Sequence, residues 1–340
     1  MPPMRAPRLA PALLCLLAAG AFSVGCGDSG SEESTSASFE PAESRPAPAK
    51  SEFPSPDGRT LREVLKGADG PAESVVAPVG VVFYPGQNRY PFGVFDRDEG
   101  QITDAEVALY YAKVPQPTPG AKSKSGNRGQ IAKAQAQALD QPAEGPFPAS
   151  IESLAPGPGF PVQSGKGDRE IASVVYSTPL EFPGEGEWLI AAIIKEDGEL
   201  RGRVLQSVVV GEFQRIPKPG QKAPVIHTPT KQDYADAIGK EPIVLLFATP
   251  EFCQSRVCGP VVDVADQAKQ EYGDKATFIH MEIYNGNDPE NGVRPQVRAF
   301  HLPSEPYLFT IDRKGIVRAA VEGAFGLKLM SKAVEKAIAG

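Results

Sequence analysis

Residues 243–260 read IVLLFATPEFCQSRVCGP, and this stretch decides how the C-terminal part of the chain folds. Six apolar residues follow Pro242, which predicts a buried strand over Ile243–Ala248. Beyond the two cysteines, apolar residues recur at helical spacing and predict a helix over Gly259–Tyr272. A strand, a pair of cysteines and a helix therefore follow one another directly.

Strands and helices alternate from there to the C-terminus. After a proline- and glycine-rich hinge at Pro217–Gly220, the order of elements is predicted as βαβ, then a short helix, then ββα. The remaining predicted elements are a strand at Ala276–Ile283, a helix at Val293–Phe300, a hairpin of Tyr307–Ile311 with Ile316–Val321, and a last helix with Leu327, Met330, Val334 and Ile338 on one face.

This order, with cysteines between the first strand and its helix, resembles the thioredoxin superfamily over residues 220–340. Gly220–Pro224 resembles the opening of the extracytoplasmic TlpA-like and peroxiredoxin-like branches. Phe247–Cys253 resembles the strand that leads to the nucleophilic cysteine, and Glu305–Asp312 resembles the family's cis-proline with its following strand. The resemblance implies an α/β domain in which Cys253 is the nucleophile, Cys258 resolves the mixed disulfide and Pro306 docks the substrate.

The cysteine pair also has reactive potential on physical grounds. A thiolate at a helix N-terminus is stabilised by unpaired backbone N–H groups, and Arg256 between the cysteines adds positive charge. Two departures from the family stand out. Four residues separate the cysteines where the family has two, and the buried acid that many thioredoxins carry six positions before the first cysteine is Phe247 here.

Two other uses of the cysteines stay open. In an exported protein the pair could be an inert structural disulfide, although so small a ring contributes only about 2 kcal/mol. Copper chaperones of the SCO type share the fold, and two thiolates with an imidazole would suit Cu(I). His227, His280 and His301 show no metal-ligand spacing, so we expect no resident metal or cofactor.

The N-terminus predicts export. Residues 1–25 have a basic start with Arg5 and Arg8, followed by the apolar stretch Leu9–Phe22, which is shorter than the ~20 residues of a bilayer span. The end of this segment resembles a bacterial lipobox, which implies that Cys26 is lipidated and becomes the mature N-terminus. Lipid chains would hold the protein on a membrane surface, and Cys15 would leave with the signal. Residues 26–74 are rich in Ser, Glu, Pro and Ala, and we predict a disordered tether with a short helix near Leu61–Lys66.

Short β-branched and aromatic runs separated by turns characterise residues 75–215. They predict strands such as Val79–Tyr84, Trp188–Lys195 and Val204–Val210, and an immunoglobulin-like β-sandwich. The run Phe182–Trp188 resembles the entry to a late strand in bacterial extracytoplasmic Ig-like domains. A stretch rich in Pro, Gly, Lys and Gln over about 115–166 is predicted as a disordered insertion.

Composition and charge bound these predictions. A chain of 340 residues has room for about two domains, and a net charge of −7 argues against a nucleic-acid partner. The chain is therefore predicted to be multidomain, with an all-β sandwich before an α/β domain. As a hypothesis, it is an extracytoplasmic, lipid-anchored thiol–disulfide oxidoreductase acting on thiols or disulfides of exported proteins. The alternative is a cell-surface binding or scaffold lipoprotein with an inert disulfide.

Overall fold

The computed structural model describes residues 42–116, 127–164, 171–229, 233–253 and 255–340. The predicted signal peptide, Cys26 and residues 27–41 of the predicted tether lie outside these ranges. In the described part of the chain, no helix combines the length and the apolarity needed to cross a bilayer.

Two β-sheets and two α-helices, with a short 3-10 helix at Lys50–Glu52, make up the described part of the first folded region. The helices are α1 (Leu61–Lys66) and α2 (Asn127–Ala138), and the strands are β1 (Gly70–Pro71), β2 (Val75–Pro78), β3 (Gly86–Phe95), β4 (Glu106–Lys113), β5 (Glu144–Pro148), β6 (Ser150–Ser153), β7 (Val174–Phe182), β8 (Gly186–Glu196) and β9 (Glu199–Val210). One sheet has the order β1-β9-β8-β4-β5 and the other β2-β3-β7-β6. The two sheets face each other as a β-sandwich; its immunoglobulin-like topology stays a prediction.

Strand β8 shows why helices α1 and α2 form a third layer on the outside of the two-sheet sandwich. Its residues are apolar without interruption from Trp188 to Ile194. Because successive side chains of a strand point to opposite faces, such a strand needs cover on both sides. Trp188 and Ile190 pack in the core between the two sheets, whereas Leu189 and Ala191 pack on the opposite face against α1 and α2.

The prediction of a disordered tether up to residue 74 is wrong for its described part. Helix α1 begins after Thr60, whose side chain accepts a hydrogen bond from the Glu63 amide while the Glu63 carboxylate bonds back to Thr60. Leu61 and Val64 are fully buried against the outer face of β4 and β8. The short helix itself was anticipated. Composition alone did not show that its two apolar residues have a partner surface elsewhere in the chain.

The predicted disordered insertion is also folded where the structure describes it. It supplies α2, β5 and β6, and its last described part lies on the next domain. There the Gly157 amide donates to Gln267 at 2.7 Å, and the Ser164 amide donates to Asp263 at 3.0 Å. The low sequence complexity around α2 gave no indication of strands β5 and β6, or of the segment that contacts the C-terminal domain through Gly157 and Ser164.

A predicted strand at Val79–Tyr84 is absent from the described structure of that segment, apart from a single bridge at Phe83. The amides of Val81 and Val82 donate instead to the carboxylate of Glu322, which belongs to the C-terminal domain. The hydrogen bonds that would have extended a sheet thus join the two folded regions.

From Ile243 on, the C-terminal domain has the predicted order of elements, and a short helix that was not predicted precedes it. The elements are α3 (Tyr234–Ala237), β10 (Ile243–Phe247), α4 (Cys258–Tyr272), β11 (Thr277–Met281), α5 (Pro295–Ala299), β12 (Tyr307–Ile311), β13 (Val317–Glu322) and α6 (Leu327–Ala339). The sheet order is β11-β10-β12-β13, with β10 parallel to β11 and antiparallel to β12. The last residue of the predicted hinge is held by a hydrogen bond to β13, because the Gly220 amide donates to the Val317 carbonyl at 2.8 Å.

Strand β10 is apolar on both faces and lies in the middle of this sheet. Val244 and Leu246 pack with α4 and α6, whereas Leu245 and Phe247 pack with α3 and α5. The first of these two clusters also contains Leu154, Ala172 and Val175 of the sandwich. The outer face of sheet β2-β3-β7-β6 is thus buried against the C-terminal domain, and the described residues from 42 to 340 belong to one compact unit.

Truncating a side chain of α1 tests whether the segment before the sandwich is part of the fold. Leu61→Ala is expected to lower the free energy of unfolding by about 2–5 kcal/mol, because it removes a fully buried side chain and leaves a cavity. Lys66→Ala, an exposed change in the same helix, is expected to stay within about 0.5 kcal/mol of the wild type. Urea unfolding measures both. Equal stability of the two variants would show that α1 does not pack on the sheet.

Candidate active site: a disulfide at the start of a helix

Cys253 and Cys258 form a disulfide with a Cα–Cα distance of 6.0 Å. Cys258 is the first residue of α4 and is fully buried, whereas Cys253 lies outside the helix and is half-buried. The amide of Cys258 donates to the sulfur of Cys253 at 3.3 Å. The first amides of a helix have no partner within it, so Cys253 Sγ accepts one of these unpaired donors.

The loop between the cysteines turns sharply at Arg256, which has a φ of 60°. Its carbonyl accepts a hydrogen bond from the Ala172 amide at 3.0 Å. Its guanidinium donates to the carbonyl and to a carboxylate oxygen of Glu99, both at 3.2 Å. We predicted that Arg256 would assist a thiolate. The structure shows it joining the loop between the cysteines to the sandwich.

Cys253 opens into a cavity of about 400 Å³, called the cysteine cavity below. Its described lining includes Phe252, Cys253, Ser255, Tyr284, Ser304 and Glu305. The peptide bond between Glu305 and Pro306 is cis, as the resemblance implied. Pro306 is buried, and its carbonyl accepts from the Gly323 amide at 2.9 Å, whereas the residues directly before it, including Ser304 and Glu305, line part of the cavity.

Two carboxylates meet beside this cavity through Thr249. The Thr249 amide donates to Glu305 Oε2, and the Thr249 hydroxyl donates to Glu282 Oε2 at 2.7 Å. The same hydroxyl accepts from the Ile283 amide at 2.8 Å, which fixes its direction. Burial, the largest cause, and the charge of Glu282 raise the pKa of Glu305 to about 7, against the opposing hydrogen bond from Thr249.

Sequence reasoning named Glu305 only as the residue before Pro306, and it missed Glu282 and Thr249. A usable signal existed. Thr249 follows the end of β10 and Glu282 follows the end of β11, and the carboxyl ends of neighbouring parallel strands meet at one edge of a sheet. Phe247 is fully buried among aromatic rings, as its apolar character required, so the acidic groups of this site come from other positions.

The histidines do not join the cysteines. His280 Nε2 lies 2.8 Å from the Ala248 carbonyl, and His227 Nδ1 lies 2.8 Å from Asp233. His301 is exposed. Across the ranges that the structure describes, no three side chains of His, Cys, Asp or Glu are grouped so that they could hold a metal ion. The ligand set considered for Cu(I) is therefore not assembled among these residues.

Stability as a function of pH tests the environment of Glu305. The carboxyl titrates near 4.5 when unfolded and near 7 when folded, so the folded state binds the proton more tightly between these values. Stability is therefore expected to fall as the pH rises from 4.5 to 7, by at most about 3 kcal/mol from this group. Glu305→Gln should remove that part of the decline in urea unfolding. Glu241→Gln, an exposed change at the far end of β10, should keep it, and an unchanged decline in Glu305→Gln would contradict the assignment.

No family model matches the chain, and no curated protein matches it. Among solved structures, the chain is similar to a thioredoxin-like protein in its oxidised form, at 16% identity over 37% of this chain and 96% of that one, with a TM-score of 0.29. A thioredoxin-family thiol:disulfide interchange protein of Chlorobium tepidum is similar at 19% identity over 36% and 97%, with a TM-score of 0.27.

A thio-disulfide isomerase of Thermus thermophilus is similar at 20% identity, over 36% of this chain and 96% of that one, with a TM-score of 0.27. These similarities concern about a third of the chain. The thioredoxin-like character of residues 220–340 itself rests on the order and pairing of the strands described above.

Proposed function

We propose that this protein is an extracytoplasmic, lipid-anchored thiol–disulfide oxidoreductase that acts on thiols or disulfides of other exported proteins. One observation carries the proposal: the Cys253–Cys258 disulfide lies at the start of α4, with Cys253 in the wall of a cavity and Cys258 buried behind it.

The unequal burial of the two sulfurs supports the roles proposed for them. Thiol–disulfide exchange requires an in-coming sulfur to reach one atom of the disulfide, and access decides which one. Cys253 is reachable through the cysteine cavity, so it forms the mixed disulfide. Cys258 is fully buried and acts as the leaving and resolving sulfur. The hydrogen bond that its backbone amide donates to Cys253 Sγ stabilises negative charge on that sulfur when the pair is reduced.

A purely structural role explains the pair less well. The ring closed by this disulfide spans a sequence separation of 5, and the entropy of closing so short a loop contributes only about 2 kcal/mol. The surrounding domain already has two apolar clusters, one on each face of its sheet. A small disulfide adds little to the stability of such a domain, and its position beside an open cavity favours exchange.

The sandwich and the N-terminus complete the proposal. We assign the sandwich to the immunoglobulin-like class and give it a recognition role next to the cysteines, because Glu99 contacts Arg256 within their loop. Export through residues 1–25 and lipid on Cys26 would place the domain at a membrane surface, where oxidising conditions favour disulfide chemistry.

Exchange activity and reduction potential test the proposed reaction. The wild type is expected to oxidise a dithiol or reduce insulin, with a potential above about −300 mV. Cys253→Ser should abolish exchange, because the accessible sulfur is lost. Cys258→Ser should instead accumulate a mixed disulfide with the substrate, visible by mass spectrometry. A potential below about −300 mV together with no exchange would identify an inert structural disulfide and support the scaffold alternative.

The mass of the mature N-terminus tests the lipid anchor. When the full chain is expressed in a bacterium, the mature protein is expected to begin at Cys26, carry acyl mass and sediment with membranes. Cys26→Ser should lose both the acyl mass and the sedimentation. Cys15→Ser is the matched control and should leave both unchanged, since that residue is removed with the signal. An unmodified terminus at another residue would overturn the anchor.

A further inference from the structure

Thiol–disulfide exchange at this site requires that the attacking thiol lose its proton. An attacking thiol is mostly protonated at neutral pH, because an ordinary thiol has a pKa near 8.5, and only its thiolate attacks a disulfide. A base beside the point of attack would therefore speed the reaction at and below neutral pH. The cysteine cavity, where a substrate sulfur must approach Cys253, is lined in part by the acidic residue Glu305.

We propose that Glu305 is the general base that takes the proton of the substrate thiol as its sulfur attacks Cys253, and the general acid that returns it in the reverse reaction. This inference rests on the function proposed above.

The position of Glu305 is well determined by its contacts. Its Oε2 accepts from the Thr249 amide, and Thr249 is in turn held by Glu282 and by the Ile283 amide. The carboxyl group is thus held at the carboxyl ends of β10 and β11. A substrate sulfur in contact with Cys253 would lie in the same cavity of about 400 Å³.

The surrounding charges suit a base that works near neutral pH. Glu282 contributes a negative charge from the segment after β11, and Tyr284 faces the cavity from further along that segment. No Lys, Arg or His is found among the described residues lining the cavity. Burial and the charge of Glu282 make Glu305 a better proton acceptor than an exposed carboxylate, with a pKa of about 7.

The neighbouring carboxylate of Glu322 on β13 is engaged elsewhere. It accepts from the Val81 and Val82 amides and from the Ser304 hydroxyl. These three donors hold it at the junction between the two folded regions. Among the described residues that line the cysteine cavity, Glu305 is the acidic one.

The step balances without a further reactant, because the disulfide of this protein is the oxidant. The S–H proton of the substrate passes to Glu305, a bond forms between the substrate sulfur and Cys253 Sγ, and the Cys253–Cys258 bond breaks with its electron pair on Cys258 Sγ. A second substrate thiol then attacks the mixed disulfide and releases Cys253. The substrate is oxidised to a disulfide, the cysteine pair is reduced to two thiols, and the two substrate protons end on these thiols.

Single-turnover kinetics test the proposal. The oxidised full chain is mixed with excess dithiothreitol between pH 5 and pH 9, and formation of protein thiols is followed. For the wild type, the rate is expected to rise with pH in two steps. The first follows the ionisation of Glu305, and the second follows the ionisation of the reagent's thiol. Glu305→Gln should lose the first step and be at least tenfold slower below pH 7. Its rate should approach that of the wild type as the pH rises above 8.5, because an ordinary thiol with a pKa near 8.5 becomes increasingly ionised there and no longer needs a base.

Further variants separate a base from a merely structural group. Glu305→Asp should restore part of the rate together with the first step. Glu282→Gln should move that step to lower pH, because it removes the charge that raises the pKa of Glu305. Glu241→Gln should leave the rate and the profile unchanged. A loss in Glu305→Gln that is the same at every pH would contradict the proposal.

The remaining outcomes tell the two proposals apart. A wild type that does not react with the dithiol would overturn the proposed function itself. A wild type that reacts, with an unchanged rate and pH profile in Glu305→Gln, would overturn only the role of Glu305. One further test uses the wild type alone. A thiol of low pKa that is already ionised at pH 6 has no proton for Glu305 to remove, so the rate with this thiol should lack the first rise with pH. The same step with both kinds of thiol would contradict the role of Glu305.

Discussion

Strands that are apolar on both faces impose the main constraint on this protein, because each of them needs cover from two sides. In the sandwich, β8 receives cover from the facing sheet on one side and from α1 and α2 on the other. In the C-terminal domain, β10 receives it from α4 and α6 on one side and from α3 and α5 on the other. Segments that look unstructured by composition, including Leu61 and Val64, are held in place because they provide this cover.

The same constraint joins the two folded regions. The outer face of sheet β2-β3-β7-β6 contributes Val175 to the apolar cluster that contains α4 and α6. Polar contacts follow at its margin, where Asp263 of α4 accepts from the amides of Gln163 and Ser164, and Glu322 accepts from those of Val81 and Val82. The helix that begins at Cys258 is therefore built into a two-domain core, which gives the loop between the cysteines a rigid support on one side.

The candidate site lies where that support ends. Arg256 holds one part of the loop against the sandwich, whereas Cys253 faces a cavity walled by the segment before Pro306. Glu305 and Glu282 are both half-buried, and their hydrogen bonds to Thr249 hold two acidic groups next to a disulfide. Such an arrangement costs stability at neutral pH, since a carboxyl group with a raised pKa opposes folding when it is ionised. Sites that carry this kind of cost are often sites of chemistry.

Local pattern in the sequence determined the order of strands and helices from Ile243 to the C-terminus, the two-sheet character of the middle region and the cysteine pair, because periodicity and turn residues are local signals. The sequence also carried the position of Pro306 through a resemblance. Only the tertiary structure decided that residues 42–74 and much of 115–166 are folded, because their few apolar residues are stabilised by surfaces far away in the chain. It likewise decided the meeting of Glu282 with Glu305 and of Glu99 with Arg256, since contacts between distant residues depend on how sheets and domains pack.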